Sequence, residues 1–273
     1  MAIVTVNAQS GVEVGTEKNW AIIEEAKTPR IVFLSKLDKE NINLDKTMTQ
    51  LKSLDSKITP VIVPWGTFDK LKGVIDLIDM KAYAYNDDKG KAIEVKDIPA
   101  DMMDYAKGLR EPMVESIVEC DEALMEKFFD GQEISPAELR AALRKGLAKN
   151  EIKPLVSGMA LKSIGTENLL DFIVTCTPSP AECRVLPAVK AGTTEEVVFT
   201  NDPNGPVCGF IFKKINEQAG DMIFMRAISG TFLPGTEYYN PTTENFERFS
   251  AFATLRGKTK IDIEKVVAGD IVA

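Results

Sequence analysis

The chain has 273 residues, of which 44% are hydrophobic and 27% charged, and its formal net charge is −8. Its length allows two domains, and its composition is that of an ordinary soluble globular protein. No apolar run approaches the roughly 18 residues of a membrane-spanning helix, which argues against one. The sequence has no histidine, which excludes histidine bases, Ser–His and Cys–His nucleophile pairs and most zinc sites.

Cysteine spacing and local charge add two expectations. The four cysteines are far apart and form no C-x-x-C pair, so we expect reduced thiols in a cytoplasmic protein and neither a zinc site nor a redox motif. Residues 59–147 hold 12 basic and 18 acidic residues, a net charge of −6. This acidic segment is a poor binder of nucleic-acid phosphates and is better suited to a basic protein partner or simply to solubility.

The first 54 residues predict a parallel α/β unit. A strand over Ala2–Ala8 is followed by a helix over Glu17–Lys27, for which Thr16 is the predicted N-cap. Pro29 ends this helix, and a strand follows over Ile31–Leu34. Strand, helix and strand in this order are typical of a parallel sheet. A second helix is indicated by apolar residues at helical spacing from Leu44 to Leu54, a stripe typical of ordinary core packing.

The middle of the chain predicts a short strand region followed by helices. We expect Gly73–Tyr85 to be one extended segment, and Pro112 to kink or break the helix that contains it. Ser135 and Glu138 flank Pro136 in a strong helix-start pattern. The remaining predicted elements are strands over Ile58–Val63 and Ala92–Val95 and helices over Ala100–Cys120, Glu122–Phe129 and Ser135–Asn150.

The last part of the chain changes character after a linker at Thr177–Pro180. A strand over Ile152–Val156 and a helix over Thr166–Cys176 precede the linker, which is the best domain boundary in the sequence. Short strands separated by turn residues then predict an antiparallel β-barrel. These strands are predicted over Val197–Thr200, Val207–Lys214, Met222–Ile228, Glu237–Asn240, Asn245–Thr254 and Ile261–Val267.

The tetrapeptide Ser35-Lys36-Leu37-Asp38 directly follows the predicted strand Ile31–Leu34. An [NST]-K-x-D sequence in this position is where GTPases read guanine. The Asp38 carboxylate can accept two parallel hydrogen bonds, from N1–H and from the N2 amino group, a donor pair that adenine lacks. The Lys36 stem can lie along the base. A solvated lysine and aspartate after a strand is the alternative interpretation, and no G-x-x-x-x-G-K-[ST] phosphate loop occurs in the sequence.

Several segments, in this order, resemble the translational GTPases and in particular elongation factor G. V-N-A-Q-S-G-V-E-V-G-T-E from Val6 is similar to the segment after switch II, and P-R-I-V-F-L-S-K-L-D from Pro29 to the guanine-specificity strand and loop. G-V-I-D-L-I-D-M-K-A-Y-A-Y from Gly73 resembles the family's insertion, and P-L-V-S-G-M-A-L-K from Pro154 its last guanine-contacting loop. D-P-N-G-P, S-G-T-F-L-P-G and A-G-D-I-V-A resemble parts of its second domain.

The resemblance implies a fold and a domain organisation. We expect an α/β fold with a partial P-loop GTPase-type parallel sheet and an α+β insertion, followed by an antiparallel β-barrel. Residues 1–180 would be an incomplete GTPase domain with an inserted subdomain at 59–147, and residues 181–273 the barrel, domain II. The chain is then an internal fragment of an elongation factor G-like GTPase.

The resemblance also implies the site residues, all of which bind nucleotide and none of which is catalytic or binds metal. They are Ser35, Lys36, Leu37, Asp38, Met159, Ala160 and Leu161. Ser35 stands where the family usually has Asn, and Met159 where it usually has Ser. Ala160 matches the position whose backbone N–H approaches guanine O6. The parent protein would bind GTP or GDP with Mg²⁺, whereas this segment would bind nucleotide weakly or not at all and would not hydrolyse GTP.

The implied partner is the ribosome, with a translocation role in protein synthesis for the parent. The barrel would face small-subunit RNA and the 59–147 insertion the stalk protein, in a monomer without membrane contact. One alternative is a module that binds the ribosome or its stalk protein independently of nucleotide. Another is a divergent relative, such as a release factor, a ribosomal-protection protein or a specialised elongation factor G paralogue.

Overall fold

A seven-stranded mixed sheet forms the centre of residues 1–178. Its strands are β1 (Ala2–Asn7), β2 (Arg30–Ser35), β3 (Ile58–Trp65), β4 (Gly73–Asp76), β5 (Lys81–Tyr85), β6 (Ile93–Asp97) and β7 (Lys153–Ser157). They lie in the order β1-β2-β7-β3-β4-β5-β6. The first four in this order are parallel, and β4 to β6 extend the sheet as antiparallel strands. All six residues of β2 are buried, as expected for a parallel strand covered on both faces.

Six α-helices accompany this sheet in the described part of residues 1–178. They are α1 (Val14–Glu25), α2 (Leu44–Leu54), α3 (Ala100–Val118), α4 (Glu122–Phe129), α5 (Pro136–Ala148) and α6 (Thr166–Cys176). The predicted start of α5 is confirmed, because the Glu138 carboxylate accepts from the Ser135 N–H at 2.8 Å and the Ser135 hydroxyl accepts from the Glu138 N–H at 3.4 Å. This capping box fixes the first turn of α5 and lets Leu139, Leu143 and Leu147 enter the core.

Residues 179–273 form a second, β-rich unit with a small core of its own. Its strands are β8 (Ala188–Val189), β9 (Glu196–Val197), β10 (Cys208–Glu217), β11 (Gly220–Ser229), β12 (Thr231–Phe232), β13 (Glu237–Asn240), β14 (Asn245–Arg248), β15 (Phe252–Arg256), β16 (Thr259–Ile263), β17 (Val266–Val267) and β18 (Ile271–Val272). The long hairpin β10–β11 pairs with β18. Phe232, Tyr238, Phe249 and Phe252 pack ring against ring, with neighbouring centroids 4.9 to 6.4 Å apart.

The computed structural model describes residues 1–85, 93–182, 187–190, 192–217, 220–257 and 259–273. A mixed sheet with helices followed by a β-rich unit confirms the predicted fold class. The predicted domain limits stay predictions, because compact units need not coincide with inserted or inherited domains. Among the described residues, no helix is long and apolar enough to cross a membrane.

Two helix predictions are wrong in detail. Helix α1 begins at Val14 with Glu13 as its N-cap, and Thr16 lies in the first turn instead of capping it. The Glu13 N–H donates to the Thr16 hydroxyl at 3.4 Å, so the threonine stabilises the helix start from inside. Helix α3 runs through Pro112 without the predicted break, and a kink at this residue stays a prediction. Met113 and Ile117 on the same helix are almost fully buried, and this packing outweighs the backbone hydrogen bond that proline removes.

The predicted extended segment Gly73–Tyr85 is two strands, and its turn is made by Asp76. The Asp76 Oδ1 accepts from the N–H groups of Ile78 at 2.7 Å and of Asp79 at 3.2 Å. Met80 then takes a left-handed φ of 53°. An aspartate whose carboxylate accepts from the backbone N–H two residues later forms a turn. The apolar residues around Asp76 concealed this turn signal in the sequence. The start of the predicted strand Ala92–Val95, at Ala92, lies outside the described residues.

Three strand predictions in the second unit have wrong limits. The predicted strand Asn245–Thr254 is interrupted between β14 and β15, where Phe249 turns into the aromatic core. The predicted strand Val197–Thr200 is replaced by β9, which ends at Val197. The predicted strand Ile261–Val267 is divided between β16 and β17, which belong to different sheets. In each case the pairing with a neighbouring strand stops inside the predicted strand, at Val197, at Arg248 and at Ile263.

The amino ends of β2 and β7 meet in a buried charged group, which we call the Arg30 cluster. It consists of Arg30, Glu24, Asp55 and Lys153, with Trp20 beneath the guanidinium. Asp55 lies 3.6 Å from Arg30 and 3.2 Å from Lys153, and Arg30 is also paired with Glu24. The Arg30 guanidinium lies 4.4 Å from the centroid of the Trp20 ring. The Arg30 side chain is 0% exposed, so its charge depends on these partners.

Candidate functional site at the carboxyl edge of the sheet

The two predicted guanine loops leave the sheet side by side. Strands β2 and β7 are parallel neighbours in which Leu34 pairs with Ser157. The Gly158 N–H, one residue further, donates to the Leu34 carbonyl at 2.9 Å. Loops that follow adjacent parallel strands emerge at the same edge, where α/β proteins bind ligands. The structure therefore brings the segments 35–38 and 159–161 together.

The first loop is anchored by Leu37 and presents Lys36 and Asp38. Ser35 is the buried last residue of β2, and Leu37 is 0% exposed. Lys36, between them, is exposed and takes a left-handed φ of 61°. Asp38 keeps 26% of its side chain exposed. Because the Leu37 side chain packs in the core, only its backbone is available to a ligand.

The charged side chains of this loop, Lys36 and Asp38, are accessible to solvent. The ion pair of Asp38 within the described residues is with its neighbour Lys39, at 3.7 Å. Lys36 has no ion pair within the same part of the chain. An exposed pair between adjacent residues is weak, so the Asp38 carboxylate can exchange it for a ligand's hydrogen bonds. This arrangement can accept a pair of N–H donors.

The second loop is closed by its own backbone. The Met159 N–H donates to the Ile164 carbonyl at 2.8 Å, and the Ile164 N–H donates back to Met159 at 3.1 Å. The turn between them is a short 3-10 helix over Ala160–Lys162, followed by Ser163 with a φ of 58°. The Met159 side chain is buried in the core. A methionine in place of the family's serine thus anchors the loop by packing.

Ala160 and Leu161 lie at the exposed tip of this second loop. The Leu161 side chain is 86% exposed. Gly165, where the loop meets α6, has a φ of 74°, and an added Cβ would lie 2.7 Å from the Ser157 carbonyl. Only glycine can adopt this positive φ here without a clash between its Cβ and the Ser157 carbonyl. The backbone N–H groups at Ala160 and Leu161 are therefore held at the edge of the sheet by a tightly turned loop.

Tyr85 supports the second loop from β5, a role that sequence reasoning missed. Its hydroxyl donates to the Asn168 Oδ1 at 2.8 Å, on the first turn of α6. Burial raises the pKa of Tyr85 to about 12, so the phenol stays neutral and keeps its proton to donate. The pair is separated by 83 residues, and no local pattern could have indicated it.

Two further loops at this edge support the first predicted guanine loop, residues 35–38. The Phe68 N–H, after β3, donates to the Leu37 carbonyl at 2.7 Å. Gln9, after β1, donates through Nε2 to the Glu40 carbonyl at 3.0 Å. The W-G-T signal at Trp65–Thr67 indicated a loop, but nothing in the sequence connected it to Leu37. Four loops thus converge at one edge, and two of them hold Leu37 and Glu40 in place.

This edge offers both hydrogen-bond acceptors and hydrogen-bond donors to a ligand. Asp38 offers carboxylate acceptors, and the exposed second loop offers backbone donors. Within the described residues, no group of three or more His, Cys, Asp or Glu side chains could hold a metal ion. The expectation that this segment binds no metal stays a prediction.

Comparison with known proteins identifies the family. The model of the elongation factor Tu GTP binding domain matches residues 1–179. The chain belongs to this family of translational GTPases, and it is of the elongation factor G type. The predicted family is therefore confirmed, and the guanine nucleotide binding that characterises it agrees with the base-reading chemistry of Asp38.

A solved structure shows the same fold over nearly the whole translational GTPase segment. It is a crystal structure of a protein from Thermus thermophilus, with a TM-score of 0.83 and 26% sequence identity. The match covers 99% of this chain and 38% of that chain. The segment thus spans well under half the length of the protein it matches. The match therefore does not by itself show the activity of a whole protein.

Proposed function

We propose that Ser35–Asp38 and Met159–Leu161 form the base-reading part of a guanine nucleotide site. The observation that supports this most strongly is the hydrogen bond from Gly158 to Leu34, which joins the two loops at their roots. Asp38 accepts from guanine N1–H and N2–H, Lys36 lies along the base, and the Ala160 N–H donates to O6. The buried Leu37 and Met159 side chains fix the loops instead of touching the base.

The 273 residues themselves should bind GDP only weakly and hydrolyse no GTP. They contain no G-x-x-x-x-G-K-[ST] sequence, and phosphate and Mg²⁺ contacts supply most of the binding and all of the positioning for phosphoryl transfer. Titration with a fluorescent GDP analogue should therefore show no saturation at micromolar protein. Tight, saturable binding would contradict this part of the proposal.

For the whole protein we propose the role of an elongation factor G-like GTPase. It would bind GTP with Mg²⁺ and promote translocation on the ribosome, and it would therefore act in the cytoplasm as a monomer. The family match over residues 1–179 supports this proposal. Its test is a translocation assay with the complete protein and with its Asp38→Asn variant. We expect the variant to lose GTP-dependent activity, and full activity of the variant would refute the role assigned to Asp38.

A second candidate function, nucleotide-independent binding of a basic partner, is favoured by the surface of α3. Glu111 and Glu115 are exposed four residues apart on α3, and Glu119, the exposed C-cap residue of this helix, continues the same spacing. Like charges at this spacing destabilise a helix by roughly 0.2–0.5 kcal/mol per pair, a cost that recognition of a cationic partner would explain. The proposed partner is the ribosomal stalk protein, with the second unit contacting small-subunit RNA.

Ribosome pelleting tests this second candidate. Co-sedimentation without nucleotide, reduced when Glu111, Glu115 and Glu119 are all changed to Gln, would support it. The matched control changes Glu17, Glu25 and Glu40, three exposed acidic residues outside the 59–147 segment. No co-sedimentation of the unaltered chain, or an equal loss in both variants, would count against it.

A further inference from the structure

Strand β1 is an edge strand of the seven-stranded sheet, with β2 as its neighbouring strand. In a parallel pair, alternate residues direct their backbone groups toward the neighbouring strand. In β1 these are the even-numbered residues, since the Ala2 and Ala8 N–H groups donate to carbonyl groups of the β2 segment, at 2.8 and 2.9 Å. The N–H and C=O groups of Ile3, Thr5 and Asn7 therefore point away from β2, toward the outer edge of the sheet.

Ile3 and Thr5 carry the backbone groups that remain open at this edge. Asn7 is covered by the chain itself, because the Gly11 N–H donates to its carbonyl at 2.8 Å. No described residue bonds to the N–H and C=O groups of Ile3 and Thr5. Strand β1, with the sequence A-I-V-T-V-N, also lacks the lysine, proline or bulge by which proteins usually prevent edge strands from pairing. Four backbone groups are thus available to a further strand.

A groove of about 1090 Å³ lies between this edge and helix α1. Ile3 and Thr5 line it on the strand side, and Asn19 and Ile22 line it on the helix side. Ile3 is 45% and Ile22 is 64% exposed. Exposed apolar side chains beside an open strand edge mark an interaction surface. We call these four residues the β1–α1 face.

The open groups of β1 are complementary to those of a second copy of the chain. When two β1 strands pair antiparallel about a two-fold axis at Val4, Ile3 of each copy lies opposite Thr5 of the other. Both are then hydrogen-bonded pairs, each of which exchanges two N–H···O bonds. This arrangement satisfies all the open groups of Ile3 and Thr5 in both copies, and it uses residues of β1 alone.

Helix α1 adds charges that also fit a second copy. Lys18 and Glu25 are exposed, and they lie four residues before and three residues after Ile22. Neither has an ion pair within the part of the chain that the structure describes. The two-fold axis makes the two α1 helices antiparallel, so Lys18 of one helix faces Glu25 of the other on both sides of Ile22. A strand from an unrelated protein would not supply this second match, which favours a second copy as the partner.

We propose that two copies of the 273-residue chain associate through the β1–α1 face, with their sheets joined across β1. Main-chain hydrogen bonds between the two strands hold the copies together, and Ile22 and the Lys18–Glu25 pairs select the partner. The face contains none of the residues assigned to guanine, so it does not depend on the proposed nucleotide site. The inference concerns this chain and is compatible with a monomeric whole protein, whose further residues can cover the same edge.

Sedimentation equilibrium of the 273-residue chain at about 1–200 μM tests the association. We expect the mass to rise with concentration to twice that of one chain, with a dissociation constant of about 10–100 μM, as for other small interfaces. The mass of a single chain at every concentration would overturn the proposal. A mass that continues to rise beyond two copies would also overturn it, because a two-fold interface is closed.

Two variants and one matched control locate the interface. Thr5→Pro removes an N–H that points outward, at a kind of position where edge strands accept proline, and should weaken association at least tenfold. Ile22→Lys should abolish association, whereas Val174→Lys, at another exposed apolar position of the same unit, should leave it unchanged. Circular dichroism reports whether each variant is folded. If Thr5→Pro does not fold, Ile22→Lys still decides. Unchanged association in Ile22→Lys or in a folded Thr5→Pro, or an equal loss in Val174→Lys, would overturn the proposal.

Charge reversal identifies the partner as a second copy. Lys18→Glu and Glu25→Lys should each weaken self-association about tenfold, because like charges then meet across the two-fold axis. An equimolar mixture of the two variants should restore association, since the two reversed chains are complementary to each other. A mixture that associates no better than either variant alone would overturn the antiparallel arrangement of the two α1 helices.

Discussion

At the amino ends of β2 and β7 buried cations are paired with carboxylates, whereas at the carboxyl ends Lys36 and Asp38 remain accessible. Arg30 and Lys153 are almost completely buried and share Asp55. Asp38, just beyond the carboxyl end of β2, has an ion pair with its own neighbour Lys39. The same two strands thus carry a closed charged group at one end and open charges at the other.

This difference separates charges that stabilise the fold from charges that are available to a ligand. A buried cation without its carboxylate is very costly, so the Arg30 cluster belongs to the fold. A partly exposed carboxylate contributes little to the stability of the fold, whether or not it is paired. Such a carboxylate is therefore available to bind a ligand. The predictions below change carboxylates and their supports in turn, from the largest expected effect on stability to the smallest.

Asp55→Ala should have the largest effect. It leaves Arg30 and Lys153 buried without their shared carboxylate, and the free energy of unfolding should fall by about 3–5 kcal/mol. Urea unfolding of both proteins at neutral pH measures this. A loss below about 1 kcal/mol would show that the exposed Glu24 suffices for Arg30, and the two ends of the strands would not differ as described.

Substitution of Asp76 should have an intermediate effect on stability. Its size should depend on whether the new side chain keeps an acceptor oxygen. Asp76→Ala leaves the N–H groups of Ile78 and Asp79 without their acceptor in the β4–β5 turn, which should cost about 2 kcal/mol. Asp76→Asn keeps an acceptor oxygen at that position and should cost much less. Urea unfolding of the two variants gives the comparison, and equal losses would refute the turn-forming role.

Asp76 also predicts a direction of pH dependence. Burial is the largest cause of the raised pKa of this carboxyl, and the Asp79 charge adds to it. Between its unfolded and its folded pKa, the folded chain therefore binds more protons than the unfolded chain. The contribution of Asp76 to stability should fall as pH rises through this window and stay lower above it. In Asp76→Asn this component of the pH profile should vanish, and its persistence would refute the assignment.

Tyr85→Phe should cost about 1 kcal/mol, because the largely buried Asn168 loses the hydroxyl that donates to it. The effect should also appear locally, as faster amide hydrogen exchange at Ile164 and Gly165. Tyr239→Phe is the matched control, since Tyr239 is an exposed tyrosine in the second unit. Unchanged exchange at Ile164 would remove Tyr85 from the support of the second guanine loop.

Asp38→Asn should have the smallest effect on stability, within about 0.5 kcal/mol, because the carboxylate is accessible and weakly paired. Thermal unfolding checks this directly. A loss comparable with that of Asp55→Ala would mean that Asp38 is a structural residue, and the contrast between the two ends of β2 would disappear.

The sequence predicted the elements whose signals are local. The buried run of β2 and the Ser135–Glu138 capping box are recognisable within a few residues, and the order of motifs gave the family. Contacts between segments that are distant in the sequence could not be predicted from local patterns. Phe68 with Leu37 and Tyr85 with Asn168 depend on how the sheet is ordered, and Pro112 stays in α3 because of packing from other elements.

The central claim is tested most directly by amide NMR of the 273-residue chain with guanosine and adenosine at about 1–10 mM, a range suited to weak binding. We expect guanosine to shift the signals of Lys36, Asp38, Ala160 and Leu161 saturably, adenosine to leave them unchanged, and Asp38→Asn to abolish the guanosine effect. Equal shifts with both nucleosides, or no shift with guanosine, would contradict the assignment of this edge as a guanine site.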